Sequence, residues 1–392
     1  MKKLGYYLFN IVYYIFYLIP INKNKIFLIM THDDSTEGNV LYTANYFMQK
    51  NPNIFFKSIT REDYEFKKNS KIIEKVINFF IFVPYHVATS KNIFLDNIFL
   101  PFAYTKFKKN VNIVQLWHGT GTIKKFALNT EVGEIRDLAK SSSVKNTHLI
   151  VGSQKMVPIY KSAFQMDLNK IYPIGTPRTD IFFNENLINE KIKEFYENYP
   201  ELTNKKLILY APTFRDEEYK KKLNNSSENI DINTEILKIL NYLPEDYILI
   251  LRLHPYISNR FSLKELNLSK KIEKRVFNLS KYNEVNTLLF VSDVLITDYS
   301  SIIFEYSLLN KKMIFYPYDL KEFEEESRGF YFDYESFVPG IILTNIEDIG
   351  NYIKNTDKEY LKIIKTFKNK YMEKSDGFST KRLFNILNNN KN

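Results

Sequence analysis

Trp117-His118-Gly119-Thr120 has the residue types and spacing on which chemistry is expected. It holds the chain's only tryptophan and one of its five histidines. The apolar run Val111 to Leu116 before it reads as a buried strand. Gly119 and Gly121 turn the chain, and the cations Lys124 and Lys125 follow. A histidine at the carboxyl end of a strand, beside glycines and cations, suits proton transfer at an anionic substrate. Open α/β sheets place their ligands at that edge, and histidine titrates near neutrality.

A second set of candidates lies further on. Asp298-Tyr299-Ser300-Ser301 falls between a strand and a helix, where free backbone N–H groups and the helix dipole favour phosphate. Simple N-capping explains the same residues. Glu305, four residues after Ser301, shares its helix face. It reads either as an acceptor for ribose hydroxyls or as a solvated helix residue. Arg252 and His254 end another strand and, by its two-residue period, point the same way. One offers fixed charge and the other a titrating group, although a buried structural histidine fits equally well. Thr213 and Arg215, within Pro212 to Asp216, and Arg178, within Gly175 to Asp180, offer hydroxyl and guanidinium donors to phosphate. Surface Arg–Asp pairing is the alternative for both. His86 and His148 read as structural. His32 does too, with Asp33 and Asp34 beside it making it a partial exception.

No zinc-type histidine motif, EF-hand, Walker loop, dinucleotide glycine motif or nucleophile elbow is present. The absence of cysteine excludes disulfides and thiol catalysis. No metal site or cofactor is implied, though a magnesium ion carried in by a substrate is compatible with the pattern. The net charge of +10 favours anionic partners. No nucleic-acid module accompanies it, so a phosphate-rich substrate or an anionic membrane surface fits better. After Lys2-Lys3, Leu4 to Ile21 carries no charge and is rich in Tyr, Phe and Ile. It lacks a small-residue cleavage site and is short for a span of about 20 residues. A helix lying on a membrane and a helix packed on the protein's own core both fit.

Strands at Lys25–Thr31, Asn53–Ile59, Tyr85–Thr89, Asn92–Leu95, Val111–Leu116, Thr147–Val151 and Ile171–Ile174 are expected, with a helix over Lys71–Phe82. A charged helix follows within Asn184–Asn204. A second alternating set then begins at Leu207–Tyr210, with a loop at Lys220–Ser227 and a helix at Ile232–Leu243. Strands Tyr247–Leu253, Val294–Thr297 and Met313–Tyr316 follow, and helices fill the chain from Ile346 on. Alternation of this kind predicts an α/β fold of two Rossmann-like domains facing a cleft, with an apolar N-terminal helix and C-terminal helices. The boundaries predicted are 1–22 for the N-terminal helix, 23–185 for the first domain and 186–392 for the second.

In this order the strings His86 to Ser90, Gln115 to Thr120, Gly175 to Asp180, Ala211 to Asp216, Arg252 to Pro255 and Leu295 to Ser301 resemble the CDP-glycerol glycerophosphotransferase family. Tyr318-Asp319 and Arg328 to Tyr331 continue the match, which runs over residues 25–375. The family comprises primases and polymerases of teichoic acid and related capsule polymers, similar in fold to GT-B glycosyltransferases. The resemblance implies transfer of glycerol phosphate from CDP-glycerol to a hydroxyl of a lipid-linked glycan or polyol phosphate acceptor, with release of CMP. The mechanism expected is direct in-line attack on the phosphorus bearing glycerol, with His118 as the base and His254, the arginines and the Ser300 helix terminus stabilising the developing charge. The resemblance brings the donor phosphates to Trp117, His118, Gly119, Thr120, Arg178, Arg215, Arg252, His254, Ser300 and Ser301, and Gly121, Thr213 and Asp298 are expected to bind substrate beside them. Glu305 falls where relatives carry an acid, often Asp. Gly121 stands where relatives commonly have proline. The expected location is the cytoplasmic face of the membrane, held peripherally. CDP-ribitol as donor, a nucleotide-sugar transferase of the same architecture and a non-catalytic binding protein are the rival readings.

Overall fold

A computed structural model describes residues 2–65, 71–215, 232–259, 261–355 and 358–389. Asp216 and the loop expected at Lys220–Ser227 lie outside them. Two compact units emerge. The first comprises Met1–Gly121, Phe126–Phe183 and Tyr371–Asn392, and the second Thr122–Lys125 and Asn184–Lys370.

The first unit is built on β1 (Asn22–Met30), β2 (Phe55–Thr60), β3 (Ser90–Leu95), β4 (Asn112–Gln115), β5 (His148–Val151) and β6 (Ile171–Pro173). They form one sheet in the order β2-β1-β3-β4-β5-β6, parallel throughout. Successive residues alternate between faces. Phe27, Ile29, Ile93, Leu95 and Ile113 enter one core, while Ile26, Leu28, Phe94 and Val114 enter the other. Both faces are covered, which is why these strands read as unbroken apolar runs. The N-terminal helix (Lys2–Phe16) buries Phe9 and Tyr13 in the first core. It turns Leu4, Leu8, Ile11, Ile15 and, beyond its end, Leu18 outward.

The expected strand Tyr85–Thr89 is instead helical, part of a continuous helix Ile72–Thr89. Asn78–Phe82 forms a π-helical turn within it. Pro84 supplies the reason: it has no N–H to donate and its ring crowds the carbonyl four residues back, and a widened turn relieves both.

The helix Ser379–Asn389 belongs to the first unit, although its position in sequence placed it with the second domain. Leu383 and Leu387 fill the core that the N-terminal helix leaves uncovered. The Asp180 carboxylate accepts the N–H groups of Ser379 and Thr380 at 2.9 and 2.8 Å, which anchors the helix start. The amphipathic pattern alone does not say which sheet such a helix covers.

The second unit holds β7 (Lys206–Ala211), β8 (Tyr247–Leu251), β9 (Val276–Asn278), β10 (Val294–Thr297), β11 (Lys312–Phe315) and β12 (Ile341–Ile342), ordered β12-β11-β10-β7-β8-β9. All pairs are parallel. The short strands β9 and β12 carry too few residues for a period-two signal and escape sequence reading. In each sheet the winding reverses once, between β1 and β3 in the first and between β7 and β10 in the second. Ligand crevices of open α/β sheets open at such switch points.

Gly175 closes the turn after β6 at φ = +90°, and a Cβ there would lie 2.4 Å from the Lys374 carbonyl oxygen. Gly175→Ala is therefore expected to destabilise the protein by about 2 kcal/mol or more, since the left-handed backbone alone costs about 1–2. Urea denaturation followed by circular dichroism measures this. An unchanged midpoint would show that the turn relaxes.

Candidate active site

In the first unit the candidate residues gather at the carboxyl ends of β1, β3, β4 and β6. After β4 the backbone reverses at Trp117, whose φ of +56° is unusual for a non-glycine residue. Two hydrogen bonds and two ring contacts hold it there. Gln115 Oε1 accepts its N–H at 3.0 Å, and Asn39 Nδ2 donates to its carbonyl at 3.0 Å. Its ring lies 5.0 and 5.3 Å from those of Phe126 and Phe164. Trp117 is thus a buried platform for the turn. Thr120 and Gly121 are buried as well, whereas His118 and Gly119 are partly exposed.

His118 Nδ1 lies 2.9 Å from the backbone oxygen of Asp96. A carbonyl can only accept, so Nδ1 carries the proton and Nε2 the lone pair of the neutral ring. That is the tautomer a general base requires. The Asp96 carboxylate meanwhile accepts the N–H groups of Thr31, His32 and Asp33 at 2.8, 2.9 and 2.8 Å. Burial raises the Asp96 pKa above its ordinary value, and these N–H groups and the nearby His32 pull it back. The imidazoles of His32 and His118 stack, with centroids 3.6 Å apart and planes 22° from parallel. Arg178 Nη1 donates to the His118 carbonyl at 3.0 Å and to Asp33 Oδ2 at 3.3 Å, and its backbone N–H donates to Asn39 Oδ1 at 3.0 Å. Asn39 therefore ties the turn after β4 to the turn after β6.

The other two histidines set aside as structural stay so. His86 and His148 are buried, and burial lowers both to about 4, with Lys25 and Lys57 adding to the effect on the first and Lys91 on the second. Asn39, Asp96 and the stacking role of His32 escaped sequence reading. The available signal was position: Asp96 ends an apolar strand, as His118 follows one.

In the second unit Thr213, Arg215, Arg252, His254, Asp298, Ser300, Ser301 and Glu305 lie at or beyond the carboxyl ends of β7, β8 and β10. Arg215 is buried. It bonds Asp319 through Nε and Nη2, at 2.8 and 2.6 Å, and Asp298 through Nη1, at 2.6 Å. The rings of Tyr299, Tyr318 and Phe323 lie 5.0 to 5.2 Å from the guanidinium carbon. Burial opposes its charge, but Asp298, Tyr318 and Asp319 outweigh that and hold its pKa well above the ordinary range. Burial likewise opposes the Asp298 charge, and Arg215 with Thr213 brings its pKa below the usual value. Arg215 thus bolts the loop after β7 to the loops after β10 and β11.

Arg252 has a similar setting. Its Nη1 donates to the carbonyls of Leu279, Ser280 and Tyr282. Because β8 ends at Leu251, the strand period no longer governs Arg252 and His254. His254 stacks on Phe214 at 5.0 Å and is partly exposed. The helix after Ser301, Ile302–Ser307, has only six residues, and Ser300 Oγ accepts the Ile302 N–H at 3.3 Å. Glu305 is buried rather than solvated. Thr213 Oγ1 is buried with no hydrogen-bond partner among the described residues. Lys124 pairs through its backbone with Phe330. Burial lowers Lys124 to about 8, with Arg215 and Arg328 adding to the fall and Asp298 opposing it.

Fold and site describe an α/β protein with two parallel sheets, each of which gathers histidine, arginine and hydroxyl side chains at the carboxyl ends of its strands. Comparison with known proteins carries this further. The chain belongs to the CDP-glycerol:poly(glycerophosphate) glycerophosphotransferase family, whose sequence model matches residues 11–389. It is 33% identical to a teichoic acid poly(ribitol-phosphate) polymerase of Bacillus spizizenii over 98% of its own length, and spans 59% of that protein. It is 36% identical to a teichoic acid glycerol-phosphate primase of Bacillus subtilis over 78% of its length and 75% of the relative's. The wall teichoic acid polymerase TagF shares the fold, with a TM-score of 0.76 at 24% identity over 97% of this chain and 93% of that one. The GT-B-like architecture expected from sequence is therefore the architecture present.

The buried Arg215 cluster makes its own test. Arg215→Met or Asp319→Asn should each destabilise the protein by about 3–5 kcal/mol, because removing one partner leaves a buried charge unpaired. The Asp298 pKa is depressed, so its stabilising contribution is present above the ordinary carboxylate range and is lost as pH falls through the lowered value. Chemical denaturation at pH 7 measures both variants. A loss below 1 kcal/mol in each would return Arg215 to the role of a direct ligand.

Proposed function

We propose that this protein transfers glycerol phosphate from CDP-glycerol to a hydroxyl of a lipid-linked or polymeric acceptor, releasing CMP. The observation that carries the reading is the His118 ring oriented by the Asp96 carbonyl at Nδ1, which leaves Nε2 as the basic nitrogen of its neutral form. The acceptor oxygen attacks the phosphorus that bears glycerol, and His118 Nε2 takes its proton. The new P–O bond forms as the anhydride bond to CMP breaks, and CMP leaves with the bonding electrons. His254, Lys124 and the donors around Ser300 are the groups suited to the negative charge that develops. Arg178, Arg215 and Arg252 act mainly by holding the loops that carry these groups.

A second reading, CDP-ribitol as donor, is favoured by the ribitol-phosphate polymerase that matches along nearly the whole chain. The glycerol-phosphate primase is as similar over a shorter stretch. Overall identity therefore does not choose between the polyols.

We further propose that the protein works on the cytoplasmic face of the membrane. Leu4, Leu8, Ile11, Ile15 and Leu18 form one exposed stripe at helical spacing. The helix Ile72–Thr89 packs beside it and exposes Ile72, Ile73, Ile77 and Ile81. An apolar stripe together with a positive net charge provides the two signals that stable peripheral binding needs.

His118→Ala should fold and bind donor yet lose transfer by about 10²–10⁴-fold, the usual contribution of a general base. CMP release from CDP-glycerol and from CDP-ribitol, measured with lipid-linked acceptor, reads both the base and the donor. Near-normal turnover in the variant would overturn the base assignment, and faster release from CDP-ribitol would overturn the glycerol reading. Replacing Leu8, Ile11 and Ile15 with serine should release the protein from vesicles containing anionic lipid. Retention at the wild-type level in a flotation assay would overturn the membrane role.

A further inference from the structure

We propose that His32 is a positioning residue for transfer, its imidazole stacked on that of His118 so that the base stays neutral and its ring plane stays fixed. The inference rests on His118 acting as the base. His32 follows β1, His118 follows β4, and β3 lies between these strands in the sheet. Asp96, at the end of β3, binds both: its carboxylate accepts the His32 N–H and its carbonyl the His118 ring. Among the described residues, Asp96 bonds both histidines, Arg178 bonds the His118 carbonyl, and Asp33 bonds Arg178.

These surroundings assign the proton. Two imidazoles 3.6 Å apart do not both become cations near neutrality, because like charges at that distance repel strongly, and the pair titrates as a coupled unit. The Asp96 carboxylate favours a proton on His32, and the two act on each other electrostatically. Arg178, whose Nη1 lies 3.0 Å from the His118 carbonyl, opposes a cation on His118. The first proton therefore goes to His32. A cationic His32 holds the His118 pKa down, so His118 keeps its lone pair to lower pH than it would alone. The stack also adds to the Asp96 bond in fixing the plane of the His118 ring.

The sign of the effect follows. Transfer needs neutral His118, so activity falls as pH drops through the His118 pKa. Replacing His32 with a neutral side chain removes the repulsion, raises that pKa and moves the acid limb to higher pH. His32→Phe keeps a ring for stacking and removes the charge, whereas His32→Ala removes both. The full-length protein labelled at histidine Cε1 is titrated by NMR, with His118→Ala assigning the resonance. The pH profile of kcat is measured with CDP-glycerol or CDP-ribitol, whichever is turned over. In His32→Phe the His118 midpoint and the acid limb should both rise by about one pH unit, with KM for donor little changed. His32→Ala should show the same shift together with a lower plateau in kcat. A His118 midpoint and an acid limb in His32→Phe that superimpose on wild type would overturn the proposal. Normal turnover in His118→Ala would overturn the base reading instead, and the NMR midpoints would still report whether the two rings are coupled.

Discussion

Asp96 is the group on which the first unit's site depends. One residue at the end of β3 works in two directions. Its carbonyl fixes the tautomer of His118, and its carboxylate gathers three consecutive N–H groups of the segment after β1. Moving Asp96 would release both histidines together. Its place in the sheet makes this possible, because β1 and β3 are neighbours at the point where the winding reverses. In open α/β sheets such reversals are where loops diverge and ligand crevices form; here Asp96 ties the segment after β1 to the end of β3.

The second unit solves a similar problem with a buried charge cluster. The loops after β7 and β10 also leave adjacent strands at a winding reversal. Arg215 joins them by bonding Asp298, and joins the loop after β11 by bonding Asp319. Burying a guanidinium carries a desolvation penalty, which two carboxylates and three aromatic rings offset here. A hydrophobic contact of the same size would pack as well. It would lack the planar two-sided bonding that fixes where each loop backbone runs. The Arg252 contacts to three carbonyls have the same character.

This explains which parts of the site were legible in the sequence. His118 and His254 could be found because a titrating residue just past a buried strand is placed by the strand itself. The alternation of strands and helices gave both sheets on the same grounds, apart from β9 and β12. The roles of Arg178, Arg215 and Arg252 were harder to read, because an arginine at a strand end suits phosphate and loop carbonyls equally. Only the positions of Asp33, Asp319 and the carbonyls of Leu279 to Tyr282 separate the two, and these come from distant parts of the chain. Asn39 left no local signal, since its partners are backbone groups that every sequence has, and Asp96 offered only its place at the end of an apolar strand. The misread segment Tyr85–Thr89 has a different cause. Its β-branched and aromatic residues favour a strand locally, and packing against the N-terminal helix overrides that preference.

With these arginines committed to the scaffold, the cations of the second unit differ in how securely they hold their charge. Lys124 is the clearest case. Burial and two neighbouring arginines, against Asp298, bring it down to about 8. A phosphate placed beside it would reverse those influences and raise it again. Arg215, bonded on both sides by carboxylates, has no such freedom, because its charge is already neutralised within the fold. Lys124, with Asp298 acting against burial and the two arginines, keeps a charge that still responds to its surroundings.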